Sequence, residues 1–113
     1  MKIEKKKSEE ILLLTIQGRI QMEETIELRS EFQSCLESGA KKILIDLSGI
    51  TDISSSGVGA LLSLHYDLDR DLRKLALSSL SPVCVYVFDI LRLMDFFTIY
   101  ETTSEAMTAL RTL

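Results

Sequence analysis

The chain of 113 residues has no tryptophan, one proline and one histidine, and only 6% of its residues are aromatic. Because His65 is the single histidine, the chain has too few histidines for a histidine-rich metal site and only one possible histidine base for a nucleophile. The two cysteines, Cys35 and Cys84, both lie within apolar helical patterns. This pattern predicts buried free thiols, and we expect no disulfide framework and no bound metal.

Long apolar runs and an excess of positive charge are also missing. No stretch approaches the roughly 18 apolar residues of a membrane span, so we expect no membrane insertion. The apolar run 11–16 is too short for a signal peptide and follows charges of both signs, which favours a cytoplasmic location. The net charge of −4 gives no reason to expect nucleic-acid binding. The length and the apolar fraction of 46% predict one domain over residues 1–113.

Strand and helix patterns alternate along the chain. Strands are predicted over 2–8, 11–17 (stopped by Gly18), 42–47, 74–78 and 96–100, and helices over 23–38, about 56–72, 83–93 and from 102 to the end. Gly39 is placed to end the first helix, and Leu72 is among the residues expected to face inward from the second. This order predicts an α/β fold with a mixed sheet of four to five strands and about four helices. The first strand pair should be antiparallel and the remainder largely parallel.

The most informative segment is the stretch 46–59, which follows an apolar strand and leads into the second helix. Its centre reads Ser54-Ser55-Ser56-Gly57-Val58-Gly59. This order puts Ser55 and Ser56 at a helix N-terminus, where unpaired N–H groups and about half a positive charge favour phosphate. We expect an exposed serine there, with Gly57 and Gly59 allowing the backbone of another protein to come close.

Other functions for this segment have weaker support. It lacks the Gly-Lys-Ser/Thr ending of a phosphate-binding loop and has only the first two glycines of a dinucleotide fingerprint. His65 lies nine positions beyond Ser56 on the same helix, too far for a hydrogen bond. Asp46 and Asp52 flank the segment, but turn and capping roles explain them better than a metal pair without a third ligand. The aromatics around Phe96 and Phe97 are expected to pack the third helix, and some could form an apolar patch for a partner.

Taken together, the segment and the element order resemble STAS domains, and most closely the stand-alone bacterial anti-sigma factor antagonists. Gly18-Arg19-Ile20, Asp46-Leu47-Ser48 and the serine-glycine loop are similar to motifs of that family, as is Ser81-Pro82 after the fourth strand. The resemblance covers essentially the whole chain. Gln21 and Ser54 stand where the family often has aspartate. Residues 71–73 replace its usual glycines.

The resemblance implies a protein-binding switch without enzymatic activity of its own and without a cofactor. In the family, the serine equivalent to Ser56 is phosphorylated by an anti-sigma factor that is also a serine kinase, and Ser55 is the next candidate. The unmodified domain binds that kinase, which releases a sigma factor, and a metal-dependent serine phosphatase reverses the modification. The expected partner-binding residues are Gln21, Thr25, Asp52, Ser54, Ser55, Ser56 and Gly57. Two alternatives stay open: a STAS adaptor subunit in a lipid-transport or stress-signalling complex, and a small nucleotide-binding or hydrolytic protein.

Overall fold

The computed structural model describes residues Met1–Leu113 and contains one five-stranded sheet with four helices. The elements in chain order are β1 (Lys2–Ser8), β2 (Ile11–Ile20), α1 (Met22–Glu37), β3 (Lys42–Ile53), α2 (Ser55–Arg70), β4 (Lys74–Ser78), α3 (Pro82–Ile90), β5 (Thr98–Tyr100) and α4 (Thr103–Arg111). The strands lie side by side in chain order. β1 and β2 pair antiparallel and all the other pairs are parallel, so the predicted α/β class and strand directions are confirmed.

Helices cover both faces of the sheet because its central strands are apolar on both sides. Leu14, Ile43 and Ile45 point into the larger core with residues of α1, α2 and α3. Their neighbour Leu44 points the other way, into a smaller cluster with Ala106 and Leu110 of α4. Alternation with a period of two along each strand thus builds a three-layer fold.

β2 and β3 both run further than the sequence pattern predicted. β2 was expected to stop at Gly18, but the strand passes through this residue at φ +98° with a register shift and ends at Ile20. β3 was expected to end at Leu47 and continues to Ile53, because its extra residues pair with the extension of β2. A Cβ at Gly49 would lie 2.7 Å from Cγ of Gln17, so only glycine allows this close pairing. The extension carries both strands to the same edge of the sheet.

The end of α2 also differs from the prediction. The N–H of Arg73 donates to the Leu68 carbonyl at 2.9 Å, which closes the helix through Leu72 at φ +59°. Leu72 was expected to face inward, but its side chain is 95% exposed. The turn lifts this residue out of the helical path, so the helical pattern does not apply to it.

Two cationic side chains cap helices from neighbouring elements. The guanidinium of Arg73 donates to the carbonyls of Cys35 and Leu36 in the last turn of α1 and to that of Ala40 just beyond it. The last turn of α1 has no basic residue of its own. The buried Lys42 donates from Nζ to the Leu110 carbonyl of α4. Both place positive charge at the negative end of a helix, and so they fix α1 and α4 against the sheet.

The boundaries of the last elements shift by a few residues. α3 starts at Pro82, one residue before the predicted boundary, and ends at Ile90, and β5 begins at Thr98. Thr102 caps α4 by accepting a hydrogen bond from the Glu105 N–H at 3.1 Å. These shifts do not change the topology.

Candidate functional site

The N-termini of α1 and α2 lie side by side at the edge where β2 and β3 end. The register pairs Ile20 with Ile53, the last residues of the two strands, and the N–H of Ser54 donates to the Ile20 carbonyl at 2.8 Å. Each strand turns directly into a helix. This geometry brings the segment 21–25 against the segment 52–57 from 31 positions away in the sequence, at the edge where α/β folds carry their functional loops.

Ser54 is the N-cap of α2. Its backbone is extended, its carbonyl accepts the first bond of the helix from the N–H of Val58, and its Oγ accepts from the N–H of Gly57 at 3.3 Å. The N–H groups of Ser55 and Ser56, the first two residues of the helix, have no partner within the helix. They face the edge of the sheet together with the positive end of the helix dipole.

A chain of hydroxyl groups links α2 to α1. Ser56 Oγ lies 2.8 Å from Ser54 Oγ and 2.9 Å from Thr25 Oγ1, and Thr25 Oγ1 lies 3.1 Å from the carbonyl of Gln21. The carbonyl can only accept, and each hydroxyl has a single hydrogen to donate. Thr25 therefore donates to Gln21, Ser56 donates to Thr25 and Ser54 donates to Ser56. The hydrogen of Ser56 is thus directed inward and its lone pairs toward Ser54 and the helix start.

A second set of contacts ties the same helix starts together through charged and amide groups. Nε2 of Gln21 donates to the carboxylate of Asp52. The backbone N–H of Gln21 donates to Oε1 of Glu24 at 2.9 Å, which completes a capping box for α1. This backbone bond, and after it the guanidinium of Arg19, lower the pKa of Glu24 below its usual value. The helix starts thus carry three carboxylates, those of Asp52, Glu23 and Glu24. Arg19 forms ion pairs with Glu23 and Glu24.

The predicted site residues come together but differ in exposure. Ser55 and Asp52 are exposed, Ser54 and Ser56 are half-buried and Thr25 is buried. An exposed serine was expected at this helix start, and Ser55 meets that expectation whereas Ser56 is only partly exposed. The half-burial has a clear cause, since its hydroxyl is held between two other hydroxyls.

The reason given for Gly57 is also wrong. A Cβ on this residue would lie 2.8 Å from Cγ2 of Ile20 and 3.1 Å from Cγ1 of Ile53, so Gly57 faces the core of this chain and not an approaching partner. Gly59 is the glycine on the outer side. A Cβ there would meet only Nη2 of Arg29, at 3.7 Å. The sequence does not distinguish the two, because the packing of Ile20 under α2 depends on the extended β2.

The residues that a metal site or a nucleophile with a histidine base would need lie apart in the structure. Asp46 accepts from the hydroxyl of Thr103 at 2.7 Å on the α4 side, whereas Asp52 is six residues further along β3, about 20 Å in an extended strand. No cluster of three His, Cys, Asp or Glu side chains is arranged to hold a metal ion. His65 packs edge-on against Phe96 and Phe97, with ring centres 4.8 and 6.0 Å apart, far along α2 from Ser56.

Arg29 and Ser63, which were not predicted from the sequence, continue the site along the groove between α1 and α2. Nη1 of Arg29 donates to Oγ of Ser63 at 3.4 Å. Arg29 and Ser63 belong to the lining of a shallow cavity of about 130 Å³ between the two helices. Arg29 follows Thr25 by one helical turn and Ser63 follows Gly59 by one turn, and this spacing is the sequence pattern that could have indicated them. No helix in the structure is both long and apolar enough to span a bilayer.

Nearly the whole chain matches one protein family. A model of the STAS domain matches residues 2–106. A Bordetella bronchiseptica protein, BtrV, provisionally named an anti-sigma factor antagonist, is 25% identical over 112 residues, which are 99% of this chain and 97% of that protein.

Solved structures with a similar fold cover nearly the full length. A Thermotoga maritima protein, provisionally an anti-sigma factor antagonist, has a TM-score of 0.89 at 24% identity and matches 96% of this chain and 94% of its own. The anti-sigma factor antagonist SpoIIAA in its unphosphorylated form has a TM-score of 0.78 at 18% identity, with 99% and 100% covered. The phosphorylated form of SpoIIAA, a Bacillus cell fate determinant, has a TM-score of 0.76 at 20% identity, with 96% and 99% covered.

Proposed function

Because the chain belongs to the STAS domain family, we propose that it is an anti-sigma factor antagonist controlled by phosphorylation of Ser56. Unmodified, it binds an anti-sigma factor that is also a serine kinase, so that a sigma factor is released. A metal-dependent serine phosphatase reverses the modification. In this role the chain is a non-enzymatic binding domain of the cytoplasm, and ATP and metal ions belong to its partners.

The observation that supports this proposal most is the placement of Ser56 at the start of α2. The N–H groups of Ser55 and Ser56 and the hydroxyl of Ser54 are donors beside Ser56 Oγ, and a phosphate group supplies three strong acceptor oxygens. The helix end stabilises the added charge of about −1.5 to −2. The modified domain should therefore remain folded.

The same charge is unfavourable once a partner covers the site. Asp52 already carries a negative charge at this edge, and its neighbour in the strand register, Arg19, is engaged with two glutamates. Arg29 lies further along the groove between α1 and α2, where it donates to Ser63. A partner that binds the loop 50–57 and the start of α1 would remove water from a phosphate beside a carboxylate. An unpaired charge buried at an interface costs about 2–5 kcal/mol, roughly 30- to several-thousand-fold in affinity. One modification can thus end binding without unfolding the domain.

The hydroxyl chain distinguishes Ser56 from Ser55. Ser56 is held in one orientation by two neighbouring hydroxyls, whereas Ser55 makes no side-chain hydrogen bond in the structure and is exposed. We therefore keep Ser56 as the proposed acceptor, because a fixed nucleophile loses less freedom when it is aligned for transfer. Ser55 is the second candidate.

Incubation with an anti-sigma factor kinase from the same organism, Mg²⁺ and ATP tests the assignment. We expect one phosphate on the parent chain, on Ser55→Ala and on the control Ser34→Ala, an exposed serine near the other end of α1, and none on Ser56→Ala, as measured by mass spectrometry of the intact protein. Unchanged incorporation into Ser56→Ala would contradict the site. If the parent binds no such kinase in calorimetry and instead co-purifies with a larger assembly, the adaptor alternative replaces the switch.

A further inference from the structure

An open cavity of about 290 Å³ lies on the opposite face of the sheet from Ser56, between β1 and α4. Lys5 of β1 binds Glu31 of α1. Lys6 and Ser8 lie one and three residues further along the strand, so they point to the other face, where α4 lies. α4 packs over β2 to β5 and leaves the outer face of β1 uncovered. The result is a groove with β1 as one wall, α4 as the other and β2 between them.

The two walls present cations and hydroxyl groups over an apolar floor. Ser104, Met107, Thr108 and Arg111 lie three and four residues apart on α4, and this spacing puts them on one side of the helix. Lys6 is paired in register with Leu13, which shares its face of the sheet and packs with Met107 against the smaller core cluster. The floor of the groove is therefore apolar, while its rims are polar.

The charges of this groove differ from those of the rest of the molecule. The chain carries a net charge of −4, yet no carboxylate lines the groove. Lys2 and Lys5, on the same strand, are each paired with a glutamate, whereas neither Lys6 nor Arg111 takes part in an ion pair. The nearest acid along this face of β1, Glu4, is bound to Lys2. Two cations without an ion-pair partner thus line one cavity that has an apolar floor and no carboxylate.

From this arrangement we infer that the groove between β1 and α4 binds a small organic anion, with its anionic head between Lys6 and Arg111. A carboxylate or phosphate monoester would accept from the two cations and from the hydroxyl of Ser8 or Ser104, since the hydroxyl of Thr108 already donates to the Ser104 carbonyl. A short apolar portion would lie on Leu13 and Met107. The volume is close to the lower end of the range of ligand sites, about 300 Å³, so the ligand is small. This site is separate from the proposed phosphorylation site and does not depend on it.

Methyl and amide NMR titration of the full chain tests the inference with three probes: butyrate, phenyl phosphate and the neutral butyramide. We expect saturable shifts at the methyl groups of Leu13 and Met107 with at least one of the two anions and none with butyramide. The two anionic probes distinguish a carboxylate site from a phosphate monoester site. Absence of saturation with both anions, or equal shifts with butyramide, would overturn the inference.

Variants that remove one positive charge test the site further, and Lys7→Gln is their matched control. Lys6→Gln and Arg111→Gln should each weaken binding about tenfold, because each removes one charge-assisted contact. Lys7→Gln should leave the affinity unchanged, since Lys7 is the next residue of the same strand, is also free of ion pairs and points to the other face. All three side chains are exposed, so the fold is expected to persist in each variant. An equal loss with Lys7→Gln would mean general charge attraction and no site.

Discussion

Ser54, Ser55 and Ser56 are consecutive residues of one type, but the structure gives each a different task. Ser54 caps α2, Ser55 is exposed to solvent, and Ser56 reaches across to Thr25 of α1. In a helix the first residues point in directions about 100° apart, so neighbouring serines necessarily meet different surroundings. Of the three, only Ser56 has a side chain that contacts α1 as well as α2, so a chemical change at its hydroxyl affects both helices.

Replacement of Ser56 with aspartate should weaken binding of the kinase partner and leave the melting temperature nearly unchanged. The carboxylate can accept from the Ser54 hydroxyl and the first N–H groups of α2, a gain of about 0.3–1 kcal/mol that offsets the lost bond to Thr25. Calorimetric titration and thermal unfolding measure the two effects separately. A large fall in melting temperature, with binding lost in proportion, would make the switch a folding effect.

The two thiols should be inert in the folded protein. Burial raises the pKa of Cys35 from its usual value of 9.0 to about 11, with Lys5 and Arg73 opposing the shift less strongly, and burial also raises the pKa of Cys84. Between pH 9 and pH 11 the native state thus keeps a proton on Cys35 that the unfolded chain loses. This contribution to stability is complete below pH 9 and is lost as the pH rises toward 11.

Alkylation by iodoacetamide at pH 8 checks this expectation. Both cysteines should react only as fast as the protein unfolds, and at full speed in denaturant. Denaturant unfolding repeated at pH 8 and pH 10.5 should show lower stability at the higher pH. Rapid labelling of Cys35 in the native state would contradict the burial that the structure describes.

At the scale of the element, the turn after α2 offers a direct gain in stability. Leu72 adopts φ +59° and is 95% exposed, so its side chain adds backbone strain without burying apolar surface. Leu72→Gly should raise the free energy of unfolding by about 0.5–1 kcal/mol, because the strain of a Cβ at positive φ exceeds the extra freedom of glycine in the unfolded chain. Leu72→Ala keeps the Cβ and should gain nothing in urea unfolding. Equal stability of both variants would rule out the strain.

The helices and strands were predictable from local patterns wherever one face of the element is buried. β4 was predicted to the residue, and Thr102 caps the last helix where the sequence predicted its start. The extension of β3 to Ile53 was not predictable, because Asp46, Ser48 and Gly49 are typical of a strand end and only pairing with β2 beyond its irregularity keeps them extended. Leu72 was misplaced for a related reason, since a helical pattern does not show where the helix stops.

At the scale of the whole molecule, the candidate site depends on two strands that reach the same edge. Its residues could be predicted from the loop, but their hydrogen bonds could not, because Thr25 and Ser56 meet only through the register of Ile20 with Ile53. The opposite orientations of Gly57 and Gly59 have the same origin. Local sequence predicted which residues come together at this edge, and long-range pairing determined which of them are exposed.

The two glycines provide the most discriminating test of the partner surface. Gly59→Arg should leave the domain folded and weaken kinase binding at least tenfold, because the new side chain enters the outer groove beside Arg29 with bulk and a second positive charge. Gly57→Ala should instead destabilise the fold by about 1–3 kcal/mol through overpacking against Ile20.

The control Thr112→Arg adds the same charge at an exposed position beyond α4 and should bind like the parent. Calorimetry and thermal unfolding of the three variants separate the effects. Parental affinity in a folded Gly59→Arg would move the interface away from the groove between α1 and α2, toward the aromatic cluster of Phe96 and Tyr66.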